Sequence, residues 1–435
     1  MSNLVHIYKN ENNFFVIDGE NLTVYKLPYM ENVEEEEIRA YLQSMDMKKY
    51  KTYDNNTCIA KKCKRLILVL STNCNLACKY CYAHGGNYGK ICFESMKLDT
   101  LKNSINTVLK VYPEGINYIQ FFGGEPLLNK EVLERGIEYI NNYMAEKRLE
   151  LPKYTIVTNG TLIDDKTIDL FEKYFTSVTI SLDGEKEIND ASRVFKSQQK
   201  SVYESVVNAI EKINSRKRSY LLALEVTVTP YHIKKYVKNK SIDSISELKK
   251  LGIDTFQISP VFHTDDEYCL ERENIQDVKD FFERWVIETF NGKSDLKGKF
   301  YSVGSILKAI SKKCYSGNNC GAALTDIAID TDGSIYPCFM FIGYEDYKIG
   351  NVNCFEYGQI KEINKKVRHK LLNANNNYKC NNCWSKKLCS HSYGHCIGAR
   401  LLVNGKIAEP VHIFCELGKT AIEAAITQAV NTFGV

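Results

Sequence analysis

The chain has 435 residues, 44% of them hydrophobic and 25% charged, which is enough for two or three domains with cores of their own. A formal charge of +4 gives little reason to expect a nucleic-acid partner. No basic start followed by an apolar signal core opens the sequence, and no apolar run nears the roughly 20 residues of a membrane helix, so the expectation is a cytoplasmic protein with no membrane partner.

The first segment, "LVHIYKNENNFFVIDGENLTVYKL", reads as two or three short strands with a turn at Asp18-Gly19, and "VEEEEIRAYLQSM" reads as a helix. A small sheet with a free edge can receive an extended peptide by strand addition. The alternative is a lid that only packs on the rest of the chain.

From Leu66 the chain alternates strands and helices. Strands are expected at Leu66 to Leu70, Tyr118 to Phe122, Tyr154 to Thr158, Val178 to Leu182, Leu222 to Thr229 and Phe256 to Pro260, with helix-like stretches such as Val202 to Ile213 between them. Six such units imply a parallel sheet, most simply an open or partial α/β barrel, whose site lies at the carboxyl ends of the strands. The notable motifs fall there. Cys74, Cys78 and Cys81 follow the first strand, Gly123-Gly124-Glu125-Pro126 the second, Thr158-Asn159-Gly160 the third and Ser181-Leu182-Asp183-Gly184 the fourth. Each alone is ordinary turn chemistry; four on one rim point to a site.

Sixteen cysteines without a secretion signal argue for metal binding rather than disulfides. Eleven form two groups: the three on the loop, and Cys314, Cys320, Cys338, Cys380, Cys383, Cys389, Cys396 and Cys415 toward the end. Cys58, Cys63, Cys92, Cys269 and Cys354 fit neither and are expected as buried inert thiols. Three thiolates on one loop leave a coordination position free, whereas zinc and iron-sulfur sites that are closed take four protein ligands. Zinc with a distant fourth ligand is the alternative.

The C-x3-C-x2-C spacing with Tyr80 before its last cysteine resembles the signature of the radical S-adenosylmethionine (SAM) enzymes. The resemblance implies that Cys74, Cys78 and Cys81 hold a four-iron four-sulfur cluster whose fourth iron is chelated by SAM. It matches Gly123, Gly124 and Glu125 to the stretch that contacts the methionine amino group, and Ser181, Asp183 and Arg193 to contacts with ribose and carboxylate. Tyr80 and Asn159 join them as cofactor contacts. The later cysteines resemble the SPASM extension of peptide-modifying members. By position, Cys314, Cys320, Cys338 and Cys396 would hold one auxiliary four-iron cluster, and Cys380, Cys383, Cys389 and Cys415 a second. One departure is the six residues between Cys389 and Cys396, where the family usually has three; they include His391 and His395, and a histidine or a substrate group is the alternative ligand. Zinc ribbons are the alternative for the whole region.

Three units are therefore expected: a front segment at 1–62 that resembles a short leader-recognition domain, a barrel at 63–300 and a SPASM domain at 301–435. The resemblance implies that a flavodoxin or ferredoxin reduces the first cluster and that a 5'-deoxyadenosyl radical then takes a hydrogen atom from the substrate. Maturation of a ribosomally made peptide carrying a leader, through a thioether or another side-chain cross-link, is the favoured activity. Formylglycine formation by an anaerobic sulfatase maturase comes second, and a zinc-dependent binding module is the non-enzymatic alternative.

Overall fold

The computed structural model describes residues 4–10, 13–29, 33–44, 53–54, 60–239, 248–263, 267–291, 301–315, 320–354, 357–374, 376–389 and 393–433. Strands β1 (Val5–Asn10), β2 (Asn13–Asp18) and β3 (Thr23–Pro28) form an antiparallel meander. Alternation along β2 gives its two faces different partners. Val16 joins Val5, Ile7 and Ile38 of the helix Glu35–Ser44 in a small separate core, while Phe15 and Ile17 belong to the main one. A two-residue strand, β4 (Tyr53–Asp54), comes after that helix.

Six parallel strands come next: β5 (Cys63–Ser71), β6 (Ile116–Gly123), β7 (Lys153–Thr158), β8 (Phe175–Ser181), β9 (Leu221–Val228) and β10 (Thr255–Pro260). They pair in sequential order, as a partial (β/α)6 barrel does. Leu66 to Leu70 are buried without a break because β5 is covered on both faces. The intervening helices show the matching stripe; in Leu98–Val111, Leu101, Ile105 and Val108 are buried. Gly136 of the next helix packs where an added Cβ would lie 2.6 Å from Leu101. Asp164 and Ser201 cap two further helices through the backbone N–H groups of Thr167 and Glu204.

The last part of the chain does not stand apart from this sheet. A short strand, β11 (Cys314–Tyr315), pairs with β4. Strand β12 (Asp326–Ile329) then lies parallel to β5, from Asp326 opposite Arg65 to Ile329 opposite Leu68. With β13 (Ser334–Tyr336) and β14 (Gly350–Asn351) it extends the sheet to nine strands, so β5 is interior. The final helix, His412–Phe433, packs on the helix Ile275–Asn291.

The front meander docks on the tail. The His6 ring stacks on Trp384 at 4.3 Å and sits 2.8 Å from Glu423 of the last helix. The Tyr8 hydroxyl donates to the Glu423 carbonyl, and Lys387 pairs with Glu20. At Gly19 any side chain would be excluded, since its Cβ would stand 1.9 Å from the Trp384 carbonyl oxygen. Among the described residues no helix is long and apolar enough to cross a membrane.

Candidate functional site

The cysteine loop starts where β5 ends and is clamped on both sides. On one side the Gly124 N–H donates to the Ser71 carbonyl at 2.7 Å and the Glu125 N–H to that of Asn73 at 2.8 Å. So close a backbone approach needs glycine, because a Cβ on Gly124 would lie 2.4 Å from the Asn73 oxygen and one on Gly123 2.3 Å from that of Ser71. On the other side the N–H groups of Ala77 and Lys79 donate to the carbonyls of Val194 and Ser192.

Two buried carboxylates hold the rim from behind. Glu125 accepts from the Leu127 N–H (3.0 Å), the Thr158 hydroxyl (2.7 Å) and the Asn159 N–H (2.7 Å). Burial lifts its pKa to about 7 against these donors. The turn so fixed presents Asn159, whose amide lies 2.8 Å from Asn75 and 3.6 Å from the Cys74 sulfur. Asp183 takes a two-point contact from Arg193 (2.9 and 3.0 Å), the Tyr80 hydroxyl and the Thr227 N–H (3.0 Å). The Asp183 carbonyl is met by His232 Nε2 at 2.6 Å. Because the Thr229 N–H donates to Nδ1 of that ring, Nε2 carries the proton and is the donor.

These parts enclose a cavity of about 480 Å³. Cys74, Cys78, Cys81, Tyr80, Gly123, Gly124, Asn159, Ser181 and Arg193 line it; Glu125 and Asp183 do not, their oxygens being turned to the protein donors just described. The barrel side adds Gln120, Thr179, Glu225, Thr227, Gln257 and Ser259, and the tail adds Phe339, Met340, Tyr393, His395 and Cys396. The sequence did not single out Glu225, Tyr393 or His232. The one available signal was a lone carboxylate within the apolar strand "LLALEVTV".

The thiols stand in three sets. Cys78 is raised to about 12, first by burial and then by the charges of Cys81 and Cys74, with Arg193 opposing. Burial likewise raises Cys320 and Cys338, with the Cys396 charge adding to both and that of Cys320 to Cys338, and it raises Cys389 and Cys415, with the charges of Cys380 and Cys383 adding to both. Backbone N–H groups approach several sulfurs: Leu76 on Cys74 and Gly85 on Cys81 (both 3.4 Å), Met340 on Cys338 (3.5 Å) and Ala399 on Cys396 (3.4 Å). Thiolates held by N–H donors are the donor set of an iron-sulfur cluster. A single zinc ion needs sulfurs about 3.8 Å apart, from Zn–S bonds of about 2.3 Å. Among the described residues no three His, Cys, Asp or Glu side chains converge to hold one ion.

Cys314 falls on β11, its side chain outside the described residues, as are His391 and Cys58. The expectation of buried inert thiols is corrected for Cys92 and Cys354, which are exposed; Cys269 is half-buried, and Cys63 alone of the described ones is buried. Cys92 lies in the protruding loop beyond the cysteine motif, and Cys354 comes after the short edge strand β14, so neither is covered.

Residues 68–284 match the Radical SAM superfamily and residues 320–384 the SPASM iron-sulfur cluster-binding domain. A cysteine-type anaerobic sulfatase-maturating enzyme of Clostridium novyi is 27% identical over 76% of this chain and 87% of its own. The radical SAM cyclopropyl synthase TigE of Paramaledivibacter caminithermalis is 28% identical over 85% and 75%. Among solved structures, anSMEcpe with bound AdoMet has a TM-score of 0.68 at 21% identity, covering 84% of this chain and 98% of that one. Streptococcus suis SuiB bound to its precursor peptide SuiA has a TM-score of 0.55 at 14% identity, covering 95% and 99%. These two share the fold.

Proposed function

Since the chain belongs to the radical SAM superfamily and carries an iron-sulfur SPASM extension, we propose that it matures a ribosomally made precursor peptide, forming a thioether or another side-chain cross-link. The observation that carries this reading is the front meander, which a barrel that only cleaves SAM does not require. Its strand β3 pairs on one side only, with β2, among the described strands, and an extended leader fits such an edge.

In this reading Cys74, Cys78 and Cys81 hold the SAM-binding cluster. Cys314, Cys320, Cys338 and Cys396, and separately Cys380, Cys383, Cys389 and Cys415, hold two auxiliary clusters, and a flavodoxin or ferredoxin supplies electrons. When bound, the reduced cluster and SAM supply a 5'-deoxyadenosyl radical that removes one hydrogen atom. The chain's own residues place and enclose that chemistry. Gly123 and Gly124 give close backbone access, Ser181 and Arg193 reach the cavity, and Asp183 fixes Arg193 and Tyr80 in one orientation. Phe339, Met340 and Tyr393 shut the tail side against water. Residues 1–62 receive the leader, 63–300 hold the cofactor and 301–435 carry the auxiliary clusters.

Formylglycine formation is the second reading, favoured by the likeness to sulfatase-maturating enzymes. Anaerobic turnover with a leader-bearing peptide and with a cysteine-containing sulfatase-type peptide separates the two by mass spectrometry: a closure removes a pair of hydrogens, whereas formylglycine formation removes that pair and also exchanges sulfur for oxygen. In both assays Cys78→Ala is expected to abolish 5'-deoxyadenosine formation, and undiminished cleavage by that variant would remove the basis of either reading.

A further inference from the structure

The cavity has a polar wall that the cofactor contacts leave unused. Glu225 is mid-strand in β9, beside Ser181 of β8, and faces the cavity. Its Oε1 accepts the Ser259 hydroxyl of β10 at 3.0 Å, and among the described residues no other hydrogen bond to the carboxylate is made. The nearby guanidinium of Arg193 is committed to Asp183 through two of its nitrogens. From the tail, the Tyr393 hydroxyl is buried without a partner among the described residues and feels the Glu225 charge. Gln120 Oε1, on β6, is also buried, with no partner among the described residues.

A carboxylate placed so has no structural duty. Among the described residues it braces no turn, caps no helix and closes no ion pair, in contrast to Glu125 and Asp183. Burial raises its pKa to about 7, with Asp183 adding to the rise and the Ser259 hydroxyl and Arg193 opposing it. Such a group exchanges protons readily near neutrality.

We propose that Glu225 is the catalytic residue that accepts the proton of the substrate thiol as the new bond forms. The proposal rests on the peptide-oxidation reading in its thiol forms, a thioether or formylglycine made from cysteine. One hydrogen leaves the substrate carbon as an atom, to the 5'-deoxyadenosyl radical. The thiol gives its proton to Glu225. The sulfur lone pair and the unpaired electron on carbon make the carbon-sulfur bond, and the one surplus electron is taken by an oxidised iron-sulfur cluster. For formylglycine the same accounting makes a thioaldehyde, whose sulfur water then displaces. Tyr393, Gln120 and Ser259 position the thiol between cysteine loop and tail.

The test compares wild-type, Glu225→Gln and Glu225→Asp holoenzymes, counting modified peptide per 5'-deoxyadenosine across the neutral range. The ionised carboxylate is the acceptor, so the wild-type ratio should rise with pH through about 7 and fall below it. Glu225→Gln should lose that inflection and about a hundred-fold of the ratio, the size of a missing general base, while Glu225→Asp recovers part of it. Infrared difference spectra of the protein should show carboxyl bands titrating near neutrality from Glu125 and Glu225, of which Glu225→Gln lacks one, a readout independent of turnover. An unchanged ratio with a normal pH profile would overturn the assignment. So would cofactor cleavage and modification falling in step with a raised KM for SAM, which would make Glu225 a cofactor contact. A wild-type enzyme that oxidises neither peptide class would remove the function itself, a failure seen in the control and not in the variant.

Discussion

A guanidinium buried among sulfurs needs an anion to answer it. Arg400 is almost fully buried, donates to the carbonyls of Ala374 and Gly394, and makes no carboxylate pair among the described residues. Burial raises Cys389, Cys415 and Cys396, and the Arg400 charge opposes that rise at all three, so it acts on both tail groups of cysteines at once. In the proposed arrangement Arg400 is thus a counter-charge shared by the two auxiliary clusters. Arg400→Met should shift both of their potentials to more negative values, because a lost positive charge disfavours the added electron, as potentiometric EPR would show. The same scale limits what a short motif tells. Cys74, Cys78 and Cys81 stood out as one group because three soft ligands on one loop have few other uses, and they line one cavity. Glu125 and Asp183 were legible as members of the rim, but not as its internal braces. Which way a carboxylate turns depends on donors such as Thr158, Arg193 and the Thr227 N–H, all remote in sequence.

At the level of elements, β5 could be read from its unbroken apolar run, because a strand buried on both faces leaves that mark in its own residues, and β6, β7, β8 and β10 from apolar residues that alternate with polar ones. The placement of the front meander could not, since its anchors, Trp384 and Glu423, are hundreds of residues away. That contact is open to a direct test. A methyl group at residue 19 would collide with the Trp384 backbone, so Gly19→Ala should loosen the meander from the tail while the barrel stays folded. Hydrogen exchange over residues 5–28 should then quicken, and peptide modification should fall more than SAM cleavage. Equal exchange in variant and wild type would mean that the turn adjusts without undocking.

For the whole molecule the expectation is numerical. If the proposed ligand sets are right, protein with Cys74, Cys78 and Cys81 all changed to Ala should keep about eight of roughly twelve irons, four per cluster. Iron analysis and Mössbauer spectra decide it, and stoichiometric zinc in place of the iron would restore the ribbon alternative. The spacing of the later cysteines suggested two sets, and the Cys396 charge acts on Cys320 and Cys338 despite the longer loop before it. What no spacing announced is that the tail enters the barrel's own sheet through β12. A strand as short as "DIAI" carries too little pattern to be told from a loop.

That pairing of β5 with β12 also sets a timetable for synthesis. On the ribosome, β5 can gain β6 soon after it emerges, but its other edge waits for residues 326–329, roughly 250 positions later, or about 10–50 s at ordinary elongation rates. For that interval the strand leading into the cysteine loop shows a bare, strongly apolar edge, the kind that recruits other chains. Shielding of that edge, by a chaperone or by slow handover from the ribosome, therefore falls due before the tail is made, and the cysteine sets that draw on the tail are complete only after it.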